Sequence, residues 1–300
     1  MRTPPVRSAL FVPANRTSWI DKAPEYGADA LVLDLEDATP PAEKEAARAI
    51  VHERLAPMEE RGQGIWVRVN YPDPDQLRAD LEAICHPGLG AVCVPKIASP
   101  ADIAEVDRLI TYFEGAAGVP LGTVAIVPLL ETAEGIAAPR EIFTASDRVR
   151  YAGGLAADGA DVQRALGYRW SHTFEESFVL RSHALIAARA AGVENPITGL
   201  VTVVDLDPVR RFAQQSRGLG YAGMFVIHPT HAPIANDAFS PSAKEVAWAE
   251  EVLASYEQAE AGGRGAVLDS RGAMVDAAHV ETAELLLARH QRLQALDAAR

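Results

Sequence analysis

Eight short runs rich in Val, Ile, Leu and Ala recur along this chain, each separated from the next by a longer amphipathic segment carrying Ala, Glu and Arg. They are ALFV from Ala9, ALVLDLE from Ala30, IWVRVN from Ile65, AVCVPK from Ala91, VAIVPLLE from Val124, RVRYAGG from Arg148, ITGLVTVV from Ile197 and MFVIHP from Met224. A strand buried on both faces reads as a near-continuous apolar run, and strands alternating with helical segments make parallel βα units. Eight such units predict a closed (β/α)8 TIM barrel rather than an open sheet. The barrel is expected over 1–235. The remainder, 236–300, reads as a lid or oligomerisation segment: a helix around Ser242 to Ala261, a break at GGRGAVLDSRG in which Gly262, Gly263 and Gly265 offer a hinge, and a final helix around Ala278 to Ala298.

With 48% hydrophobic residues in 300, the chain can bury a sizeable core, which rules out disorder as its main state. The balance of 28 basic against 41 acidic residues, net −13, gives no electrostatic support for nucleic acid or an anionic membrane as partner. A small molecule fits better. Two cysteines, Cys85 and Cys93, are too few for a disulfide framework or a cysteine zinc site, and no apolar run approaches membrane-spanning length. A cytoplasmic location is expected.

Polar residues gather where the apolar runs stop. In a parallel barrel these strand ends share one rim, so residues far apart in sequence converge there. Glu131 and Asp161 each follow a candidate strand, and two carboxylates on neighbouring strand ends suit a hard cation, Mg²⁺ or Mn²⁺. Either could equally cap the helix that follows it, and Asp158 competes with Asp161 in one loop. Arg68 sits inside an apolar strand and needs an anion, either a substrate carboxylate or a structural partner in Glu36 or Asp37. Strand alternation turns Asp34 and Glu36 towards the barrel interior and sends Asp37 into the loop, where it could orient water or cap the next helix. Lys96 reads as a salt-bridge partner for these acids. His228 reads as a histidine satisfied locally more readily than as a base or zinc ligand. Asp276 is either the N-cap of the last helix or, beside Met274 and Val275, a base strengthened by desolvation. The absence of a serine elbow, a P-loop and a dinucleotide fingerprint disfavours serine catalysis and NTP hydrolysis.

Taken in order, RSALFVPAN from Arg7, LDLEDATPPAEKEAAR from Leu33, VRVN from Val67, VPK from Val94, LLETAEG from Leu129, DVQRALG from Asp161, VIHPTHAPIANDAFSPSAKEV from Val226 and GAMVDAAHVETA from Gly272 resemble the citrate lyase β-subunit and malyl-CoA lyase family of metal-dependent acyl-CoA lyases. The resemblance spans nearly the whole chain. It implies a TIM barrel, usually in homotrimers or homohexamers, whose C-terminal segment covers a neighbour's site. It also implies Mg²⁺ held by Glu131 and Asp161, substrate contacts from Arg68 and Glu131, an acidic pair in Glu36 and Asp37 near the metal, and Asp276 as the lid's acid or base. The implied reaction is cleavage of a short 3-hydroxyacyl-CoA to an acyl-CoA and a 2-oxo acid. Thioester hydrolysis at the same site, or a β-type subunit dependent on an acyl carrier protein, are the alternatives. Asp158 stands where the family turn has glycine, and Ala14, Met224 and Thr198 replace a usual glycine, lysine and aspartate.

Overall fold

In a computed structural model, described over residues 3–153, 157–261, 266–268, 272 and 274–299, the chain divides into two compact units, Met1–Phe239 and Ser240–Arg300. In the first unit, all eight apolar runs overlap strands: β1 (Ser8–Pro13), β2 (Ala30–Asp34), β3 (Gly64–Arg68), β4 (Leu89–Val94), β5 (Ala125–Pro128), β6 (Tyr151–Ala152), β7 (Asn195–Thr198), which keeps only Ile197 and Thr198 of its run, and β8 (Gly223–Val226). They pair in parallel in the order β5-β4-β3-β2-β1-β8-β7-β6. Parallel bridges Ile126↔Val149 and Leu129↔Gly153 join β5 to the β6 segment, so the two ends of that order meet. The result is a TIM barrel.

Helices α1 (Thr17–Lys22), α2 (Lys44–Glu59), α3 (Pro74–Ile84), α4 (Pro100–Ala116), α5 (Ala133–Ala137), α6 (Pro139–Phe143), α7 (Asp161–Leu166), α8 (Phe178–Ala190), α9 (Leu206–Leu219) and α10 (His231–Phe239) connect the strands or follow the last one. Strand alternation produces two apolar layers. Val32, Trp66, Val127, Tyr151 and Phe225 fill the cylinder, while Leu31, Leu33, Val67, Val92 and Val94 face outwards into the core that includes Ile110 and Phe212 of α4 and α9. Each strand is therefore buried on both faces, which is why it reads as an unbroken apolar run.

Two local departures from the sequence reading matter for the site. Strand β2 ends at Asp34, so Glu36 lies in a turn whose amide donates to Asp34 Oδ1, and alternation no longer sets its direction. Strand β6 keeps only Tyr151–Ala152 of the run beginning at Arg148. In the second unit, α11 (Ala243–Ala261), a ribbon of β9 (Val267–Leu268) and β10 (Met274–Val275), and α12 (Ala277–Ala298) pack around Ala249, Val252, Val275 and Ala283. The candidate hinge glycines Gly262, Gly263 and Gly265 lie outside the described residues. Among the described residues, no helix is long and apolar enough to cross a membrane.

Candidate active site

A cavity of about 660 Å³ opens at the C-terminal ends of the barrel strands, with Asp34, Asp37, Arg68, Glu131, Asp161 and Arg164 among its lining residues. Strand register creates its charged wall. Asp34 and Arg68 are Cα partners at the last positions of β2 and β3, and both side chains continue the inward-facing sets of Val32 and Trp66. Arg68 donates from Nε to Asp34 Oδ1 at 2.8 Å and from Nη2 to Asp34 Oδ2 at 2.6 Å, a two-point fork that fixes the guanidinium plane. Glu36 Oε2 is 2.9 Å from Arg68 Nη1; the distance makes an ion pair, but the alignment falls short of a hydrogen bond. Asp34 is thus the main partner that the sequence reading did not assign to Arg68. Asp37 is 3.7 Å from Lys96 Nζ and largely exposed.

Lys96 bridges the two halves of the wall. Its ammonium contacts Glu36, and its amide donates to Glu131 Oε2 at 3.2 Å. The backbone there is left-handed, φ +55°, a conformation unfavourable for a side-chain-bearing residue, and it aims the amide at Glu131. Below Glu131, Thr132 caps α5 by accepting from Gly135 N and donates its hydroxyl to Ile97 O. A Cβ at Gly135 would lie 2.2 Å from Ile97 O, so glycine permits this close seating of the LLETAEG turn on the Lys96–Ile97 turn. Asp161 is the first residue of α7, a short helix closed by Gly167 at φ +75°, and pairs with Arg164 one turn on. Asp161 belongs to the cavity lining, and Asp158 does not.

The wall carries more negative than positive charge. Asp34, Glu36, Asp37, Glu131 and Asp161 face Arg68, Lys96 and Arg164. Burial, opposed by Arg68 but reinforced by the charges of Glu36 and Asp161, pushes the Glu131 carboxyl up to about 7. Burial also raises Glu36 despite Arg68 and Lys96. Burial works against the charge on Arg68, but Asp34 first, then Glu36 and Glu131, hold the guanidinium protonated. A surplus of hard oxygen donors and a carboxylate short of positive charge suit a divalent cation, for which Glu131 and Asp161 are the candidate ligands in the lining. No group of three or more His, Cys, Asp or Glu forms a ready cage among the described residues. Two carboxylates fit a cation that keeps its other positions for water and substrate.

His228 lines the cavity, but its Nδ1 is 2.7 Å from Thr230 Oγ1 and accepts from the Thr230 amide, the local satisfaction expected of it. Asp276 departs from the expectation of a strengthened base. Its side chain is well exposed, caps α12 by accepting from Ala278 N at 3.1 Å, and lies 2.7 Å from His279 Nδ1. The His279 bond holds its carboxyl below the ordinary value. Met274, which suggested an apolar setting, is itself 62% exposed.

The arrangement, acids and one forked arginine on the strand ends of a TIM barrel, accompanies a sequence match to the family model HpcH/HpaI aldolase/citrate lyase over residues 7–229. The chain belongs to this family. Among its relatives, (3S)-malyl-CoA thioesterase of Cereibacter sphaeroides is 33% identical over 98% of this chain and 98% of its own length. Citrate lyase subunit beta of Leuconostoc mesenteroides subsp. cremoris is 32% identical over 90% of this chain and 88% of its own. The structure of the CitE protein of Mycobacterium tuberculosis in complex with magnesium, acetoacetate and coenzyme A has a TM-score of 0.74 at 28% identity, covering 97% of this chain and 100% of that one.

Proposed function

We propose that this HpcH/HpaI-family chain is a magnesium-dependent carbon–carbon lyase for a short 3-hydroxyacyl-CoA, releasing an acyl-CoA and a 2-oxo acid. The observation that carries the reading is the charge surplus at the mouth: Glu131 and Asp161 line one cavity, and their mutual repulsion helps to lift Glu131 to about 7. These two carboxylates would hold the ion, which when bound supplies Lewis-acid polarisation of the oxo acid's carbonyl. Magnesium and coenzyme A in the CitE structure support the choice of ion and thioester.

The chain's own groups divide the remaining work. Arg68, fixed by Asp34, has further N–H groups beyond its fork to offer the substrate's oxygen as negative charge develops. Glu36 and Lys96 hold Arg68 and the Glu131 turn in register. Asp37, exposed in the same cavity, orients water or a substrate hydroxyl. In the condensation direction Asp276, delivered by a C-terminal lid within a trimer or hexamer, takes a proton from the thioester's α-carbon. The electron pair of that C–H bond forms the new C–C bond to the oxo acid's carbonyl carbon, the carbonyl π pair moves onto its oxygen, and that oxygen takes a proton from solvent water to become the hydroxyl. Cleavage runs this sequence backwards. Burial on closure would offset the His279 effect on Asp276 and restore its basicity. We place the protein in the cytoplasm, where the free, buried Cys85 and Cys93 stay reduced.

A second reading, thioester hydrolysis at the same site, is favoured by the 33% identical relative named a malyl-CoA thioesterase. Incubating the purified full chain with Mg²⁺ and malyl-type CoA esters decides between them. Acyl-CoA plus 2-oxo acid is the expected outcome, whereas free CoA with an intact hydroxy acid supports the hydrolase. Turnover without any added protein also removes dependence on an acyl carrier partner. Glu131→Ala should abolish Mg²⁺-dependent activity with the fold retained; unchanged turnover rejects its role as ligand.

A further inference from the structure

The charged wall bounds only part of the cavity. Phe11 of β1, Leu129 after β5, Leu200 after β7 and Phe225 of β8 line the same space as Arg68 and Glu131, and all four belong to or pack against the apolar cluster inside the barrel. Phe11 and Leu200 are only partly buried, unlike Leu129 and Phe225, so they are the members of this layer that meet the cavity's contents. The Arg68 guanidinium carbon is 5.0 Å from the centroid of the Phe11 ring, and the Phe11 and Phe225 centroids are 5.3 Å apart. Gly153, beside β6, makes room for this layer. A Cβ there would lie 2.6 Å from Phe225 Cε2 and 3.3 Å from Leu129 Cδ2. The end of the site nearest Arg68 and Glu131 is therefore floored by aromatic and aliphatic carbon.

We infer that this floor selects for an apolar substituent on the fragment held between Arg68 and Glu131: a 2-oxo acid bearing a methyl or larger alkyl group on its carbonyl carbon, in preference to one bearing hydrogen. The inference rests on the lyase reading above and adds the substrate class to it. In the cleavage direction the corresponding substrate is a tertiary alcohol, with hydroxyl, carboxylate and alkyl group on the carbon that leaves. An alkyl group against Phe11 and Leu200 is withdrawn from water and gains dispersion contacts, whereas hydrogen leaves that surface unfilled. One such group in an apolar pocket is worth about 10- to 200-fold in discrimination.

The test compares glyoxylate, pyruvate and 2-oxobutyrate with the full-length protein and Mg²⁺ in two assays: condensation with acetyl-CoA, and calorimetric binding of each acid without a CoA ester. Pyruvate is expected to exceed glyoxylate by about 10-fold or more in kcat/KM and to bind more tightly. Leu200→Ala on the rim, and the milder Phe11→Leu within the barrel, should both move that ratio towards unity. Glyoxylate turned over and bound as well as pyruvate overturns the inference and leaves the lyase reading standing. Graded binding with no condensation of any acid sinks the lyase reading while upholding the selectivity of the floor.

Discussion

Two arginines at opposite ends of the barrel, Arg148 buried and Arg68 partly so, have the same kinds of partner, yet the carboxyls around them shift in opposite directions. Arg148 precedes β6 at the N-terminal end of the strands. It donates from Nε to Asp107 at 2.6 Å, from Nη1 to Glu114 Oε1 and Val124 O at 2.9 and 3.0 Å, and from Nη2 to Thr111 Oγ1 and Glu114 Oε2 at 2.9 and 2.7 Å. Glu114 also accepts from the amides of Gly122 and Val124. Burial alone would raise Glu114, yet Arg148 and these amides hold it below the ordinary value. At the mouth, Arg68 serves Asp34 and Glu36, and both Glu36 and Glu131 are raised. Arg148 closes its network completely, so nothing from outside is needed. The network around Arg68 remains short of positive charge beside a cavity, which is the condition for taking up a cation.

The sharpest way to break this contrast is to remove each arginine. Arg148→Met leaves Glu114 buried without its cation and should cost about 3–5 kcal/mol in urea unfolding, with turnover per folded molecule unchanged. Arg68→Met leaves Asp34 and Glu36 beside a cavity that water can enter, so its stability loss should be smaller, about 1–3 kcal/mol, while turnover falls by roughly 10²- to 10³-fold. Equal stability losses, or full activity in the Arg68 variant, would make the two networks alike and remove the functional reading of the second.

Charge surplus also sets a pH dependence. Glu131 has an ordinary value of 4.5 and is raised to about 7 in the folded chain, so the folded state holds this proton more tightly than the unfolded one. Stability from this group is therefore greatest below 4.5 and declines as pH rises towards 7 and above. In the absence of metal, Glu131→Gln removes that penalty and should be the more stable protein at pH 8 by about 1–2 kcal/mol, allowing for solvent screening, with the gap closing towards pH 5. On the proposed ligand role Mg²⁺ would bind the carboxylate form of Glu131, so it should raise the wild-type melting temperature more at pH 8 than at pH 6. A flat difference between variant and wild type across this range would remove Glu131 as the strained member of the wall.

Much of this architecture is readable in one sequence because burial on both faces of a strand leaves a strong signature. The runs at Ala30, Ile65 and Ala91 mark strands, and the polar residues that end them mark the rim. The Asp34–Arg68 fork was less legible. Inward alternation was available for Asp34, but its partner depends on the register that sets Asp34 opposite Arg68 across two strands. Glu36 reaches Arg68 on the side expected of it, but from a turn: apolar Leu35 extends the run past the last strand position, and only the structure shows the chain leaving the sheet at Asp34. The left-handed backbone at Lys96 had no sequence signal, since glycine or asparagine usually announces it. Arg148 read as part of a strand, although its side chain belongs to a network beneath that strand.

The smallest expected effect concerns a third charged group whose partner is entirely local. Asp276 accepts from Ala278 N and pairs with His279 three residues on, at an exposed helix start. Its value is lowered, so the contribution of its charge is present at neutral pH and is lost on acidification through the folded-state value, the reverse of Glu131. Asparagine caps a helix about as well as aspartate, so Asp276→Asn should leave the melting temperature nearly unchanged at pH 7, whereas Asp276→Ala should lower it measurably. The same Asn variant lacks a proton acceptor and should slow exchange of the acyl-CoA α-proton in D₂O by roughly 10²- to 10⁴-fold while Mg²⁺ binding stays intact. Wild-type exchange in Asp276→Asn, with the drop in melting temperature confined to Asp276→Ala, would reduce Asp276 to a helix cap and leave the barrel mouth to supply the base.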